Sequence, residues 1–500
     1  MNRHFSMSDF KHAQPTRLYG SLDHIERGDL HTLAAFDCVD ADWLDNQGHD
    51  PQFRGYFDGA DPPMADHFWC DFWKSLKQSG RNPLDGMPLF RIEVELNSLS
   101  HLTSDGYGRD AEDWDPALAA AESTWLYFEV SNVSQSSWFE AQLYHGMFLP
   151  PAVVYITARK LEEDSAAKVV LDLMMKSLDE LDEPKQSDLE AALKSAKADY
   201  LGVWDVGQGN ANALLDDGFL AKAWFDIGCG VYRNAWTSPS PLEFCWKDNN
   251  AGIVLSHWDA DHWAGAEVKT AAGTTPALGR TWIVPVQKVT TLHLTFASSV
   301  AASGRMWGLR AASSLVGIGG GRQVTLELGK GSSRNHSGIV MLVENGSSGA
   351  DRWLLTGDCD YSYMATAHAD VLALVAPHHG ASLRPSSVVP APSGGYCRLA
   401  YSFGGNNAHG SGTSHPTSAG VTKHHCGGWW HGAWSLAMPA TKVAVGDVLA
   451  TAQHVVGASR KRPPPASSRL DGALIGWTAP PAWGRCPGCP GHCAPPLPQT

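Results

Sequence analysis

The sequence predicts an α/β protein of more than one domain, and three observations lead to this prediction. The chain has 500 residues, which is too long for one ordinary hydrophobic core. After Tyr200, short apolar runs recur and several of them end in Asp or His beside Gly. Residues 1–200 hold 17 Lys+Arg against 35 Asp+Glu, whereas residues 201–500 hold 21 against 17. This change of charge predicts a boundary near residue 200.

Four segments follow from this pattern. Residues 1–160 are predicted to form an acidic α+β or β-rich domain, because runs such as "WLYFEVSNV" and "PAVVYITA" are typical of strands between turn-rich stretches. Residues 161–199 have apolar residues at helical spacing, broken at Pro184, which predicts two connecting helices. Residues 200–457 are predicted to form the domain that carries the chemistry. Residues 458–500 are rich in Pro, Gly and Ser, which predicts a flexible tail.

The composition favours a cytoplasmic protein that is not inserted in a membrane. No apolar run approaches the ~20 residues that span a bilayer. The opening "MNRHFSMSDFKHAQ" has no apolar stretch after its charges, so no secretory signal is expected. Most of the ten cysteines are isolated along the chain, which is typical of reduced thiols. The exception is the tail, where Cys486, Cys489, His492 and Cys493 either bind zinc or belong to a flexible segment.

The apolar runs after Tyr200 have the composition of buried strands. Two of them, "WIVPV" and "GIVMLVEN", have no polar ending. Four others end in potential ligands: "AWFDIG" at Asp226, "GIVLSH" at His257, "RWLLTGD" at Asp358, and "LALVAPHHG" at His378 and His379. Side chains just past strand ends meet at one edge of a sheet, where α/β folds build their sites.

The densest cluster of potential ligands lies in "IVLSHWDADHWAG", residues 253–265. In an extended segment alternate side chains converge, so we expect His257 and Asp259 to face one cation, and Asp261 and His262 to face a neighbouring position. Imidazole and carboxylate groups bind Zn²⁺ or Mn²⁺. Asp358, His378 or His379, and His415 in "NNAHGSGTSHPT" would complete the shells of one or two ions. The alternative is that these residues are helix-capping carboxylates and surface histidines.

The order of these motifs resembles the metallo-β-lactamase fold, and within it the soluble domain of ComEC-type DNA-uptake proteins. The resemblance extends over roughly residues 198–430 and is carried by "DVGQGNA" at 205–211, the His-x-Asp-x-Asp-His motif at 257–262, the Asp-ending "LLTGD", "HHG" at 378–380 and "SHP" around His415. It implies an αββα sandwich and hydrolysis of phosphodiesters. No segment resembles the membrane channel of that family, so DNA transport is not implied.

The chain departs from the family pattern in three places. Asn210 stands where the family usually has an acid, and Trp258 replaces a common proline. The family supplies a separate histidine between the first cluster and the later Asp, and the candidates for it here are His293 and His336.

The ligand set predicts a metal-dependent hydrolase, most simply a phosphodiesterase or nuclease in which the cation activates water. Asp261, His378 and His379 are the predicted catalytic residues, with His378 or His379 protonating the leaving oxygen. Asp226 either orients a ligand histidine or is a structural carboxylate. Trp258 and Trp263 either stack on bases or pack in the core.

Two other functions are compatible with the same residues. The first is hydrolysis of a small ester, lactone or thioester, because fold and metal do not determine the substrate. The second is a non-catalytic interaction protein with a degraded metal site, in which the acidic N-terminal domain binds a protein partner. The partner predicted for the hydrolase itself is a nucleic acid or another phosphodiester substrate.

Overall fold

The computed structural model describes residues 2–6, 13–27, 32–46, 65–96, 114–346, 351–366, 370–393, 396–410, 413–430, 446–451 and 472–478. The chain forms two compact units. The first consists of Met1–Asp182, Val286–Met306 and Ala408–Thr413. The second consists of Glu183–Pro285, Trp307–Asn407 and Ser414–Thr500. Across the described residues, no helix is long and apolar enough to cross a membrane.

Eight α-helices lie within the described ranges, and most are short. They are α1 (Ala41–Asn46), α2 (Ala65–Ser79), α3 (Trp114–Glu122), α4 (Ala166–Met175), α5 (Gln186–Leu193), α6 (Ala260–Trp263), α7 (Thr291–Ser303) and α8 (Ser418–Cys426). Helix α4 begins after Ser165, whose side chain accepts a hydrogen bond from the backbone N–H of Lys168 and so satisfies one of the free donors of the first turn. Pro184 lies between α4 and α5.

The first unit contains a closed antiparallel barrel of six strands. They are β1 (Arg17–Arg27), β2 (Thr32–Asp40), β3 (Leu89–Leu96), β4 (Trp125–Ser131), β5 (Phe139–Tyr144) and β6 (Ala152–Lys160). Their order around the barrel is β1-β2-β3-β5-β6-β4, and pairing of β1 with β4 closes it. The sequence predicted an α+β or a β-rich domain here, and the closed barrel shows that the α+β class was wrong.

The barrel interior is filled by alternate residues of its strands. Phe36 and Cys38 of β2, Phe90 and Ile92 of β3, and Phe128 of β4 belong to one buried cluster. Because successive side chains of a strand point to opposite faces, every second residue enters the interior. Full burial of each large apolar side chain contributes about 1.5–3 kcal/mol to folding.

The second unit is built on two mixed sheets. Strands β7 (Tyr200–Trp204), β8 (Ala211–Leu215), β9 (Ala221–Ile227), β10 (Gly252–Val254), β11 (Thr281–Pro285), β12 (Arg305–Leu309) and β23 (Gly472–Gly476) form a sheet in the order β12-β11-β10-β9-β8-β7-β23. In this sheet β9, β10 and β11 are parallel. The eight-stranded sheet has the order β13-β14-β15-β16-β18-β20-β22-β21, and its strands β16, β18, β20 and β22 are parallel.

The strands of the second sheet are β13 (Ser313–Ile318), β14 (Arg322–Leu328), β15 (Ile339–Asn345), β16 (Arg352–Leu355), β18 (Ala373–Val375), β20 (Arg398–Tyr401), β21 (Trp429–Trp430) and β22 (Gly446–Ala450). A separate parallel pair is formed by β17 (Asp370–Val371) and β19 (Ala391–Pro392). The six apolar runs that the sequence assigned to strands after Tyr200 all contain a strand: β9, β10, β11, β15, β16 and β18.

One hydrophobic core joins the two sheets of this unit. Val203 and Phe225 of the first sheet belong to the same buried cluster as Met341 and Leu355 of the second, and Leu189 of α5 packs with them. A separate cluster, which includes Leu342, Leu354 and Trp429, contains further buried residues of the eight-stranded sheet.

The predicted α/β class with an αββα sandwich is wrong. The described residues are rich in strands, with a closed barrel and mixed sheets, and 27% of them are helical. In the described part of the second unit the α-helices are α5, α6 and α8, of 8, 4 and 9 residues. Helices this short do not make the two helical layers of a clear αββα sandwich.

Part of the segment predicted to be a flexible tail is a strand. Residues 472–476 form β23, which pairs with β7 in antiparallel register, and Trp477 stacks on Trp353 with ring centroids 3.8 Å apart. The tail residues Cys486, Cys489, His492 and Cys493 lie outside the described residues.

Candidate metal centre

Four strands of the second unit end at one place. Asp226 lies near the end of β9, and His257 follows the neighbouring parallel strand β10. In the other sheet, Asp358 follows β16, and His378 and His379 follow the adjacent parallel strand β18. Parallel strands direct their carboxyl ends to the same edge of a sheet.

The centre of this place is a group formed by His257, His262 and Asp358, which we call the His–Asp centre. One potential ligand atom from each residue lies within 4.8 Å of the others. The Nε2 atom of His262 is 3.0 Å from Oδ1 of Asp358, and Nε2 of His257 is 3.8 Å from Oδ2. All three side chains are buried. The geometry therefore groups the two histidines with Asp358, and it also places the Asp259 carboxylate 3.3 Å from His257, the pairing that the sequence suggested.

The Nδ1 atoms of both histidines are held by other side chains. Nδ1 of His262 lies 2.9 Å from the Asp226 carboxylate, which also accepts hydrogen bonds from the hydroxyl of Ser256 at 2.8 Å and the amide of Asn210 at 2.9 Å. Because the Ser256 hydroxyl donates its proton to Asp226, it can only accept from Nδ1 of His257, 3.0 Å away. When either imidazole is neutral, its proton is therefore on Nδ1, which leaves Nε2 as an acceptor for a cation.

Three buried atoms of the His–Asp centre make no hydrogen bond. They are Nε2 of His257, Nε2 of His262 and Oδ1 of Asp358, and the contacts they make are ion pairs within the same place, such as the one between His262 and Asp358 at 3.0 Å. Buried polar atoms are normally satisfied, and each that is not carries a cost of about 1–3 kcal/mol. Two imidazole nitrogens and a carboxylate oxygen are the donor set that Zn²⁺ and Mn²⁺ accept, so these residues fit a divalent cation.

A second group of potential ligands shares His262 with the first. It consists of Asp261, His262 and His379, again with one atom of each within 4.8 Å of the others. Nε2 of His379 is 3.1 Å from the Asp261 carboxylate, and its Nδ1 donates to the carbonyl oxygen of Ser402 at 2.8 Å. The side chain of Asp261 is 24% exposed, whereas that of His379 is buried. Asp261 is therefore accessible from solvent.

The carboxylates around the centre raise the pKa of two of its imidazoles, His262 and His379. Burial lowers the pKa of His262, but Asp358, Asp226 and Asp261 together raise it well above its ordinary value. Burial likewise raises the pKa of Asp358, and the surrounding histidines outweigh this effect and hold that pKa well below its usual range. The pKa of His379 is raised by its contact with Asp261 despite burial. The centre is therefore electrostatically suited to positive charge.

The carboxylate of Asp259 lies between an imidazole and a guanidinium. Its Oδ2 atom is 3.3 Å from Nε2 of His257, and its Oδ1 atom is 3.6 Å from Nε of Arg334. Arg334 is 4% exposed. Asp259 therefore contacts both His257 of the centre and a buried guanidinium. No sequence pattern points to Arg334 or Ser256. Arg334 is a single cation in a Ser/Gly-rich turn, and Ser256 is a serine before a histidine.

His378 and His415 lie at the edge of the His–Asp centre. Nε2 of His378 is 3.6 Å from Oδ2 of Asp358, and the side chain of His378 is 22% exposed. The ring of His415 is 5.1 Å from that of His378, and its backbone is held on both sides by the Asn407 amide. His415 belongs to neither of the two ligand groups above.

The backbone at this place is strained in several positions. Asp226, His378 and His379 have φ values of 63°, 48° and 54°, which residues with side chains rarely adopt. Such residues cost on the order of 1–3 kcal/mol each and persist where the surrounding structure holds them. Gly357, also at positive φ, faces Ser256, and a Cβ there would lie 2.5 Å from the serine side chain. The close approach of β16 and β10 thus requires glycine.

The remaining residues that the sequence singled out lie elsewhere. Trp258 and Trp263 are fully buried, and Nε1 of Trp258 donates to the carbonyl of Pro285, so both pack in the core. His336 stacks on Tyr363, and His293 contacts Asp23 and Asp37 in the first unit. Neither histidine is a member of the two ligand groups of this centre.

Comparison with known proteins finds no matching family model, no matching curated protein and no matching solved structure.

Proposed function

We propose that this chain is a metal-dependent hydrolase that cleaves phosphodiesters. The observation that carries the proposal is the set of three buried atoms without hydrogen bonds: Nε2 of His257, Nε2 of His262 and Oδ1 of Asp358. His257, His262 and Asp358 would hold a cation, and Asp261 and His379 lie beside it on the other side of His262. A divalent cation bound here would polarise water and neutralise charge that develops on phosphorus.

The side chains around the centre would orient the ligand histidines and supply the proton that the reaction needs. Asp226 and Ser256 orient the two histidines through their Nδ1 atoms. Hydrolysis adds water across one P–O ester bond, and the leaving oxygen needs a proton. His378 is partly exposed and close to Asp358, so it is the imidazole best placed to deliver that proton. His379 is buried and bonded to Ser402, so its role is to position Asp261.

The position of Arg334 favours a phosphodiester over a neutral ester. Its buried guanidinium lies 3.6 Å from Asp259, beside His257, and offsets with positive charge a carboxylate that would otherwise repel an anion at the centre. An anionic substrate gains from this charge, whereas a neutral ester or lactone does not.

The test is hydrolysis of bis(p-nitrophenyl) phosphate by the full-length chain with Mn²⁺ or Zn²⁺. Substituting Asp358→Asn removes a cation ligand, and we expect the rate to fall by more than about 100-fold, since losing even a residue that orients a ligand costs about 10–100-fold. The matched control is Asp351→Asn, an exposed carboxylate at the start of the same strand, which should leave the rate unchanged. A wild-type chain that cleaves lactones or thioesters but not the phosphodiester would contradict the proposed substrate. A fully active Asp358→Asn variant would contradict the proposed centre.

A further inference from the structure

The two groups of potential ligands in the second unit share one imidazole nitrogen. His262 belongs to both groups, and its Nδ1 atom is held by the Asp226 carboxylate at 2.9 Å, so only Nε2 can bind a cation. Nε2 lies 3.0 Å from an oxygen of Asp358 and 3.9 Å from an oxygen of Asp261. A ring nitrogen has one lone pair and therefore binds one cation. The shared histidine thus belongs with Asp358, in the His–Asp centre.

Without His262, the other group keeps only two ligands, and these two are bonded to each other. Nε2 of His379 forms a hydrogen bond of 3.1 Å with the Asp261 carboxylate. Nδ1 of His379 donates to the backbone carbonyl of Ser402 at 2.8 Å, so both ring nitrogens of this buried histidine are satisfied. A cation at this position would have to break the hydrogen bond between its own ligands. The His–Asp centre differs, because its ligand atoms make no hydrogen bond that a cation would have to break.

The opposite side of the His–Asp centre already contains positive charge. The Asp259 carboxylate lies 3.3 Å from Nε2 of His257 and 3.6 Å from the guanidinium of Arg334, which is buried. A second divalent cation that shared Asp259 would therefore lie close to this guanidinium. Like charges repel strongly where water is excluded, so this side also disfavours a second cation.

We propose that the His–Asp centre binds a single divalent cation. The positions on either side are closed by pairs within the protein, which are the Asp261–His379 hydrogen bond and the Asp259–Arg334 ion pair. The inference rests on the proposed function, because it specifies the metal content of the same centre. In hydrolases with two cations, the second ion stabilises the leaving oxygen. Here that oxygen would depend on a proton instead, and His378 is placed to deliver it.

The experiment counts the Mn²⁺ ions bound to the full-length chain at equilibrium, by dialysis followed by elemental mass spectrometry. Mn²⁺ is used because thiolates, such as those of Cys486, Cys489 and Cys493, prefer Zn²⁺. Asp358→Asn removes a ligand of the His–Asp centre, so the wild-type count minus the Asp358→Asn count excludes ions bound elsewhere. We expect this difference to be one ion per chain. If Asp358→Asn does not fold, His257→Gln replaces it, with the same expected difference.

A second variant, Asp261→Asn, tests the neighbouring position. We expect it to bind as many Mn²⁺ ions as wild type, and we expect the electron paramagnetic resonance spectrum of both proteins to be that of isolated ions. A difference of two ions between wild type and Asp358→Asn, or the spectrum of a coupled pair, would overturn the inference and leave the proposed function standing. A lower count for Asp261→Asn than for wild type would do the same. A difference of zero would contradict both, because the centre would then bind no Mn²⁺.

Discussion

The two units each contain a buried group of His and Asp side chains, and the groups differ in where their positive charge comes from. In the first unit, Asp23, Asp37 and His293 bring ligand atoms within 4.8 Å of one another, as His257, His262 and Asp358 do in the second. By proximity alone, both are candidates for a cation. Their hydrogen bonds and ion pairs distinguish them.

The group in the first unit, which we call the arginine cluster, already contains a cation. Arg91 forms ion pairs with Asp23, with Asp37 at 3.2 Å and with Glu93 at 3.3 Å. The hydroxyl of Thr290 donates to Asp37 at 2.8 Å, and Nε2 of His293 lies 3.0 Å from Asp23. These carboxylates are therefore balanced by the protein itself.

The His–Asp centre has no such guanidinium against Asp358. Among the described residues, the ion-pair partners of Asp358 are His257, His262 and His378. These imidazoles balance it only when they are protonated, and two of them leave Nε2 without a hydrogen bond. Closeness of His and Asp side chains therefore does not by itself define a metal site. A metal site is marked by buried ligand atoms that make no hydrogen bond and by carboxylates that no guanidinium balances.

The largest expected effect is a loss of folding stability when the arginine cluster loses the guanidinium of Arg91. Arg91→Met removes the guanidinium that balances the buried carboxylates of Asp23, Asp37 and Glu93, and breaking a buried pair in this way costs about 3–5 kcal/mol. Denaturant unfolding should show this loss with or without Zn²⁺ and Mn²⁺. Arg17→Met is the control, because the Arg17–Asp42 pair is exposed and such pairs contribute at most about 1 kcal/mol. If a divalent cation restored the stability of the Arg91→Met variant, the arginine cluster would be a metal site like the His–Asp centre.

The next effect concerns the orientation of His262. Asp226→Asn removes one of the acceptor oxygens of the carboxylate that holds Nδ1 of His262, and we expect cation affinity to fall by about 10- to 100-fold. Competition with a chelating dye measures this affinity directly. Asp217→Asn, an exposed carboxylate of the same unit, should leave it unchanged. If both variants bind the cation like wild type, His262 is not a ligand oriented by Asp226.

The smallest effect is a dependence on pH in the arginine cluster. Burial, followed by the neighbouring Asp23 carboxylate, raises the pKa of Asp37 to about 6, against about 3.9 in an unfolded chain. The folded state therefore holds this proton more tightly, and the stability that it contributes is complete below about pH 4 and is lost as the pH rises through 6. Relative to Asp37→Asn, the free energy of unfolding of wild type should decrease over this window by at most about 1.4 kcal/mol per pH unit. A difference that stays flat from pH 4 to 7 would contradict this assignment.

Much of the candidate site could be predicted because it is encoded locally. His257, Asp358 and His378 each follow a strand that its own apolar run reveals, and parallel strands bring such endings together. The grouping of His257 with His262 could not be predicted, because it depends on the short helix α6 turning His262 back under Ser256. Arg334 could not be found either, since it lies between β14 and β15 of one sheet whereas Asp259 follows β10 of the other.

The fold was less predictable than the site. Closure of the barrel depends on pairing β1 with β4, more than 90 residues apart, and no local pattern encodes that register. The helical periodicity expected around Pro184 corresponds to α4 and α5, whereas residues 291–303 form α7 of the first unit although they lie within the sequence of the second. The αββα prediction relied on the motif order alone, and motif order reports which residues follow strands but not the length of the helices between them.

The most direct test of the account is the number of divalent cations per chain, measured by elemental mass spectrometry after loading with Zn²⁺ or Mn²⁺ and desalting. Three proteins are compared: wild type, His262→Gln in the His–Asp centre and Asp37→Asn in the arginine cluster. We expect wild type and Asp37→Asn to hold the same number of cations, at least one per chain, and His262→Gln to hold fewer. A His262→Gln chain with the wild-type number of cations, or an Asp37→Asn chain that has lost them, would contradict the claim that the His–Asp centre is the metal site.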